Sequence, residues 1–240
     1  MYPPIRNRSD MEQDRFDVYC PICRTTTTST PTSENRPLSP ISVYGWTKKA
    51  QEELFQLAAQ AYGLPTIMLR YFNVYGSRQS LINPYTGIVS IFFNRLREGK
   101  SISVYEHGAP LRDFVHVFDV VQANLAALES ELPAGTILNV GTGQALTVFD
   151  LARALAQALG ATLQYQDHGE FRVGDIHACV ADLAQIRSLL RYEPHISLDD
   201  GMHEFVNWAL GQASSDQYQK TVSELKAFGL FGASRVIGKQ

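Results

Sequence analysis

Tyr44 and Lys48 stand four residues apart in SVYGWTKKAQEEL (42–54). Apolar residues around them recur at helical spacing. On a helix, side chains four apart share one face, one turn from each other. The chemistry such a pair can do is proton transfer. A phenol with its ordinary pKa of about 10 is a poor base at pH 7; acting there requires a fall of about 3 units, about 4 kcal/mol in favour of the phenolate. One nearby cation supplies about 1 to 3 of those units. Lys48 alone is therefore marginal, and a second positive charge, such as an oxidised nicotinamide ring, closes the gap. Spacing by itself selects nothing, because Y-x-x-x-K arises by chance in many helices.

The elements that must position the pair read as an alternation of helices and strands. Val43, Ala50, Leu54, Leu57 and Ala61 predict a helix that stops at Gly63, and LPTIMLRYF (64–72) predicts a buried strand. A loop over 73–87 leads to a helix near 88–98, and SISVYEHG (101–108) alternates like a strand. Asp119 is placed to cap the next helix, with His116 as a packed histidine. TILNVG (136–141) predicts a strand, Thr147 a helix cap, and 162–166 another strand. A loop over 167–181 and helices near 182–190 and 198–210 follow, with a mixed, peripheral tail. RTTTTSTPTSENRPLSP (24–40) has no period and reads as loop. The alternation predicts an α/β fold. Gly141 and Gly143 lack the third glycine of a dinucleotide fingerprint, and no P-loop, H-E-x-x-H or G-x-S-x-G occurs.

A chain of 240 residues can bury one good core, and 45% hydrophobic with 19% charged residues is ordinary for a globular protein. A net charge of −3 gives no electrostatic footprint for nucleic acid or an anionic membrane. No apolar run reaches the roughly 20 residues that span a bilayer, and MYPPIRNRSDMEQDRF has no signal-peptide core. Three cysteines fit a reducing cytoplasm rather than a disulfide framework. Cys20 and Cys23 in CPIC have the spacing of half a zinc ribbon, but a structural site needs four ligands and no second pair follows. No metal is expected, and the two are read as free thiols in a loop.

PISVYGWTKKAQEEL, LRYFNVYG, LRDFVHVFDV, LNVGTG and FRVGDI follow one another in this order. Together they resemble the extended short-chain dehydrogenase/reductase family, specifically its nucleotide-sugar epimerases and dehydratases, over roughly residues 40–210. CPIC with PTSENRPLSPISVYG, and RQSLINPYTG further on, resemble most the members of the dTDP-L-rhamnose 4-epimerase type. The resemblance implies the C-terminal part of a Rossmann-type parallel sheet plus a smaller α/β substrate-binding lobe. These occupy residues 42–210, after a loop-rich segment (1–41) and before a tail (211–240).

It also implies roles. Tyr44 would take the proton from a sugar hydroxyl as hydride leaves the same carbon for NAD. Lys48 would lower the tyrosine's pKa and bind the nicotinamide ribose, and Tyr71 would line the nicotinamide pocket. Asn73, and Asn83 in INPYTG, would reach the substrate diphosphate; Arg112 and Arg172 would clamp it, and Asp175 would accept from the nucleotide ribose. Guanidinium suits that clamp because its fixed donors meet phosphate oxygens in pairs. The implied partners are a dTDP- or UDP-sugar and a second copy docked through the Tyr44–Lys48 helix.

The implied activity is 4-epimerisation. Alternatives are a dehydratase or decarboxylase of the same family, a non-catalytic remnant that binds nucleotide sugar or pairs with a full-length subunit, and a zinc-ribbon module. His177 and Ala178 stand where relatives usually carry Arg-His, which alters the expected nucleotide pocket. The family's Gly-rich loop, leading strands and catalytic Ser/Thr all precede the tyrosine. The sequence is therefore expected to represent the C-terminal part of such an enzyme. It should expose apolar surface on the strand at 65–72 and the helix facing it, and bind NAD poorly by itself.

Overall fold

The computed structural model describes residues 6–83 and 87–235; Pro84, Tyr85 and Thr86 of INPYTG and both chain ends lie outside the described residues. After a single helical turn, α1 (Arg8–Met11), comes the long helix α2 (Val43–Tyr62). Its start is set by Ser42, whose hydroxyl accepts from Gly45 N at 3.0 Å, and its end by Gly63 at φ 63°. Strands β1 (Ile67–Tyr71) and β2 (Asn73–Tyr75) follow, then α3 (Ile88–Arg97), β3 (Ile102–Val104), β4 (Leu111–Arg112) and β5 (Phe114–His116). Next come α4 (Val117–Leu128), β6 (Thr136–Val140), β7 (Leu146–Thr147) and α5 (Val148–Leu159). The remainder comprises β8 (Tyr165–Asp167), β9 (Glu170–Arg172), β10 (Ala178–Cys179), α6 (Ala184–Leu190), α7 (Leu198–Ala209), α8 (Tyr218–Ala227) and β11 (Phe231–Ala233).

The fold is α/β with mostly parallel pairing. Strands β1 and β6 run parallel from Ile67↔Thr136 to Tyr71↔Val140, so Tyr71 lies at a carboxyl end of the sheet. Strands β2 with β5, and β3 with β8, are also parallel pairs; β4 pairs parallel with β10 and antiparallel with β7. Two cores result. One joins α3, α5 and α7 through Phe92, Phe93, Leu151, Leu155, Met202 and Phe205 over Ile102, Val104 and Phe114. The other packs Val120 and Ala123 of α4 and Ile186 of α6 on Leu138, Val140 and Val115. Thr147 caps α5 in a reciprocal capping box with Asp150, as its position predicts.

Several expectations are corrected by packing. His116, not Asp119, is the N-cap of α4: its Nδ1 accepts from Phe118 N at 3.4 Å, and its ring is buried against Tyr75 and Phe118. Asp119 sits inside the first turn, where its carboxylate accepts from the backbone of His195 (2.9 Å) and Ile196 (3.2 Å). The 167–181 stretch is not all loop, because β9 and β10 lie within it. Long-range pairing, invisible to local period, makes them strands: β9 is completed by β11 from the tail, and β10 by β4. The 24–40 stretch lacks period yet is anchored: Thr32 bridges Ala181, and buried Glu34 accepts from Asn139 N at 2.9 Å.

The segment before it is tied down as well. Met11 and Phe16 are buried with Phe171 and Val173. Asp14 reaches His107, in a turn (Glu106–Gly108) whose three residues have φ of 50°, 56° and 72°. Left-handed conformation costs L-residues roughly 1–2 kcal/mol each, so the turn persists because its neighbours hold it. His107 Nδ1 lies 2.8 Å from Asp167, and Nε2 3.1 Å from Asp14. Partial burial opposes its charge, but hydrogen bonds and charges from Asp167 and then Asp14 outweigh it and raise the imidazole's pKa. A raised folded value gives stability that is fully present below the ordinary histidine range and lost as pH rises through the folded value. The side chain is over a third exposed, so screening holds the term below about 1 kcal/mol. Wild type should lose slightly more stability than His107→Gln in urea unfolding between pH 6 and 8.5. Identical pH slopes would contradict the clamp.

Candidate active site

Helix α2 meets the body through Gly45, Lys49, Glu52, Gln56 and Ala59, of which only Ala59 is buried. Its firmest tie is polar. Arg70 of β1 donates through Nε (2.8 Å) and Nη2 (2.7 Å) to both oxygens of Glu52, and through Nη1 to Glu34 O (2.8 Å). The residues of the apolar period face water: Val43, Leu54 and Leu57 are 83%, 64% and 60% exposed. Trp46 and Phe55 are also exposed, and a concavity lined by Pro40, Ile41, Val43, Trp46 and Ala50 opens beside them. The expected apolar exposure on the helix is present. Strand β1 itself is mostly half-buried, with Met68 buried.

Between the packed and apolar faces, Tyr44 and Lys48 project together. Tyr44 is 72% exposed, and Lys48 Nζ lies 5.5 Å from its ring centroid while donating to Gln51 Oε1 at 3.4 Å. Tyr71 is half-exposed at the carboxyl end of β1 and donates its hydroxyl to Asn124 Oδ1 at 2.8 Å. Asn73 opens β2 with an exposed side chain, and its N–H donates to Asp113 O at 2.9 Å. Asn83 N donates to Ser80 Oγ at 3.2 Å at the edge of the undescribed residues.

The other candidates gather at β4 and β9. Arg112 Nη2 donates to Asp175 Oδ1 at 2.9 Å and its Nη1 to Leu111 O at 2.9 Å. The Arg172 guanidinium lies over the Tyr105 ring at 5.4 Å, and its buried Nε has no hydrogen-bond partner among the described residues. Gly174 joins the two groups. A Cβ there would stand 2.2 Å from Ile41 Cδ1, so the turn carrying Asp175 lies directly against the chain entering α2. The His177 carbonyl accepts from Leu111 N at 2.8 Å, and the ring Nδ1 is 3.6 Å from Glu106 Oε2, an electrostatic contact beyond hydrogen bonding. Ala178 is a ladder residue opposite Leu111.

The glycine turn after β6 is closed to phosphate. Its Thr142 and Gly143 amides donate to Asp113 at 2.7 and 2.9 Å, and the Thr142 hydroxyl does so at 2.7 Å. Composition gave no signal for Asp113, Glu34 or Arg70 beyond their charge; a buried charge's partners come from distant segments. Cys20 and Cys23 lie in a short hairpin closed by the Tyr19↔Thr26 bridge. Cys23 Sγ is 3.0 Å from the Thr25 hydroxyl, whose hydrogen bond, with lesser ones from the Thr25 backbone and Cys20, pulls the thiol down to about 7. Burial pushes Cys179 the other way. Among the described residues no three His, Cys, Asp or Glu side chains cluster as metal ligands.

The profile of the NAD dependent epimerase/dehydratase family matches residues 22–141, half of the chain and the part that contains α2, Tyr44 and Lys48. The chain belongs to this family. A dTDP-L-rhamnose 4-epimerase of Burkholderia thailandensis is 38% identical over 208 residues, 87% of this chain and 56% of that protein. Among solved structures, a UDP-N-acetylglucosamine 4-epimerase from Methanobrevibacter ruminantium, in complex with UDP-N-acetylmuramic acid, superposes with a TM-score of 0.70 at 28% identity. That match covers 78% of this chain and 59% of the other. A UDP-glucuronic acid 4-epimerase from Bacillus cereus, in complex with UDP-glucuronic acid and NAD, gives a TM-score of 0.68 at 28% identity, covering 75% and 56%. The chain thus spans little more than half the length of these family members.

Proposed function

We propose that this chain carries the proton-transfer helix and nucleotide-binding lobe of an NAD-dependent nucleotide-sugar 4-epimerase acting on a dTDP- or UDP-sugar. The observation that carries the reading is the side-by-side, solvent-open placement of Tyr44 and Lys48 beside a turn that bears Asp175 and abuts Arg112. The parts are a leading segment (1–41), the sheet and lobe (42–210) and a tail (211–240).

The residues toward NAD fit in part. Lys48, and Tyr71 at the sheet's carboxyl end, suit the nicotinamide riboside end. The turn at 142–143 offers the pyrophosphate no free amides, since Asp113 occupies them. When bound, NAD supplies an acceptor and donor of hydride at the sugar carbon. Tyr44 takes the proton of the 4-hydroxyl and returns it from the same side chain. Lys48 favours the phenolate by its charge at short range. Arg112 and Arg172 hold the diphosphate, with Arg112 exchanging Asp175 for phosphate oxygens. Asn73 and Asn83 add donors to the same group.

The exposed stripe of α2 supports a second copy as its cover: a face with Val43, Leu54 and Leu57 open to water is too apolar to be left so. No helix among the described residues is long and apolar enough to cross a membrane, and the free thiols are in keeping with a cytoplasmic setting.

Two measurements test this. At millimolar NAD with dTDP- and UDP-sugars, Tyr44→Phe should lower turnover at least about 10²-fold. Lys48→Ala should slow it and move its pH optimum upward, and a Tyr44→Phe variant as active as wild type would remove the role. In sedimentation velocity the wild-type chain should be dimeric and Leu54→Glu monomeric. An unchanged distribution would place any dimer contact elsewhere.

A further inference from the structure

Arg6 is engaged on every side in the middle of the nucleotide lobe. Its Nη1 donates to Phe16 O at 3.0 Å and to Glu106 Oε2; its Nη2 donates to Glu106 Oε1 at 2.9 Å and to Asp175 O at 2.7 Å. Its side chain is 9% exposed and that of Glu106 1%. Burial alone would raise the Glu106 pKa, but the nearby His177 ring and the hydrogen-bonded, charged Arg6 fork overcome it and hold the carboxyl below the ordinary range. Glu106 in turn belongs to the left-handed turn gripped by Asp14 and Asp167 through His107.

A chain of contacts therefore runs from the strained turn through Glu106 and Arg6 to the backbone of Asp175, and from the Asp175 carboxylate to Arg112. We propose that Arg6 is a positioning residue for nucleoside-diphosphate binding, its fork fixing the 173–177 turn so that Asp175 and Arg112 present themselves together. This rests on the reading of Arg112 and Asp175 as nucleotide-binding groups. The geometry explains why arginine is required. Only a planar fork donates to both carboxylate oxygens of Glu106 while also reaching two carbonyls; a lysine ammonium satisfies the charge but not the four acceptors. Glu106 is thus kept paired in an Arg6→Lys variant, which should fold, whereas Arg6→Ala strands a buried carboxylate and is the less suitable probe.

The experiment uses the full chain and UDP as probe. Amide hydrogen exchange, which needs no ligand, should show residues 173–177 exchanging at least about tenfold faster in Arg6→Lys, with β1 and β6 unchanged. Calorimetry should show UDP affinity reduced about tenfold, and a cycle with Asp175→Asn should be non-additive, the second substitution costing much less once the first is made. A merely structural arginine would give additive losses. Unchanged exchange at 173–177, or additive losses, would overturn the inference. Failure of wild type to bind UDP would instead overturn the reading of the site, and the exchange result tells the two failures apart.

Discussion

The arrangement of the site depends on one buried carboxylate. Asp113 is fully buried, and its two oxygens accept from Thr142 N, the Thr142 hydroxyl, Gly143 N and Ala181 N, at 2.7 to 3.1 Å. A charge taken out of water is tolerated only where such bonds replace its hydration. They also join three distant segments, because β5, the turn after β6 and the approach to α6 meet at this one side chain. The approach is close enough to demand glycine at 141, where a Cβ would fall 2.5 Å from Asp113 Oδ2. Arg112, the neighbouring residue in the chain, is thereby set opposite the turn that carries Asp175.

Helix α2 is held differently. Its inward side has one buried residue and a bidentate ion pair, while its apolar stripe faces water. The arrangement leaves Tyr44 and Lys48 open, as the proposed proton transfer from a carbohydrate hydroxyl requires, and leaves the stripe available to another surface. Residues 173–177, which touch the segment leading into α2, are gripped from the opposite side by Arg6. The groups proposed for proton transfer and for nucleotide binding are therefore mechanically adjacent, although more than a hundred positions separate Tyr44 from Asp175.

Much of this was legible in the sequence. Helices α2 and α5 were marked by local signals, Ser42 to Gly63 and the Thr147 capping box, and β1 and β6 by short apolar runs between breakers. The candidate site residues were proposed from motif order, not from composition. What was not legible depended on contacts distant in the chain. Strands β9 and β10 are too short to show a period and exist through β11 and β4. The period of α2 was read correctly, but periodicity says only that a face is apolar, not what lies against it. Asp119 looked like a cap because it stands near a helix start; the fold spends it on His195 and Ile196. Arg6, Glu34 and Asp113 carry charges whose buried partners no local pattern reveals.

The central claim is that one lobe of this chain receives a nucleoside diphosphate through Arg112, Arg172 and Asp175. Its most direct measurement is a ¹⁵N NMR titration of the full chain with UDP and with dTDP, followed at the arginine side-chain and backbone resonances. The account predicts saturable shifts at the Arg112 and Arg172 guanidinium groups and in residues 172–177, with the β3–β8 region unmoved. Shifts elsewhere on the protein, or none with either nucleotide at millimolar concentration, would contradict it.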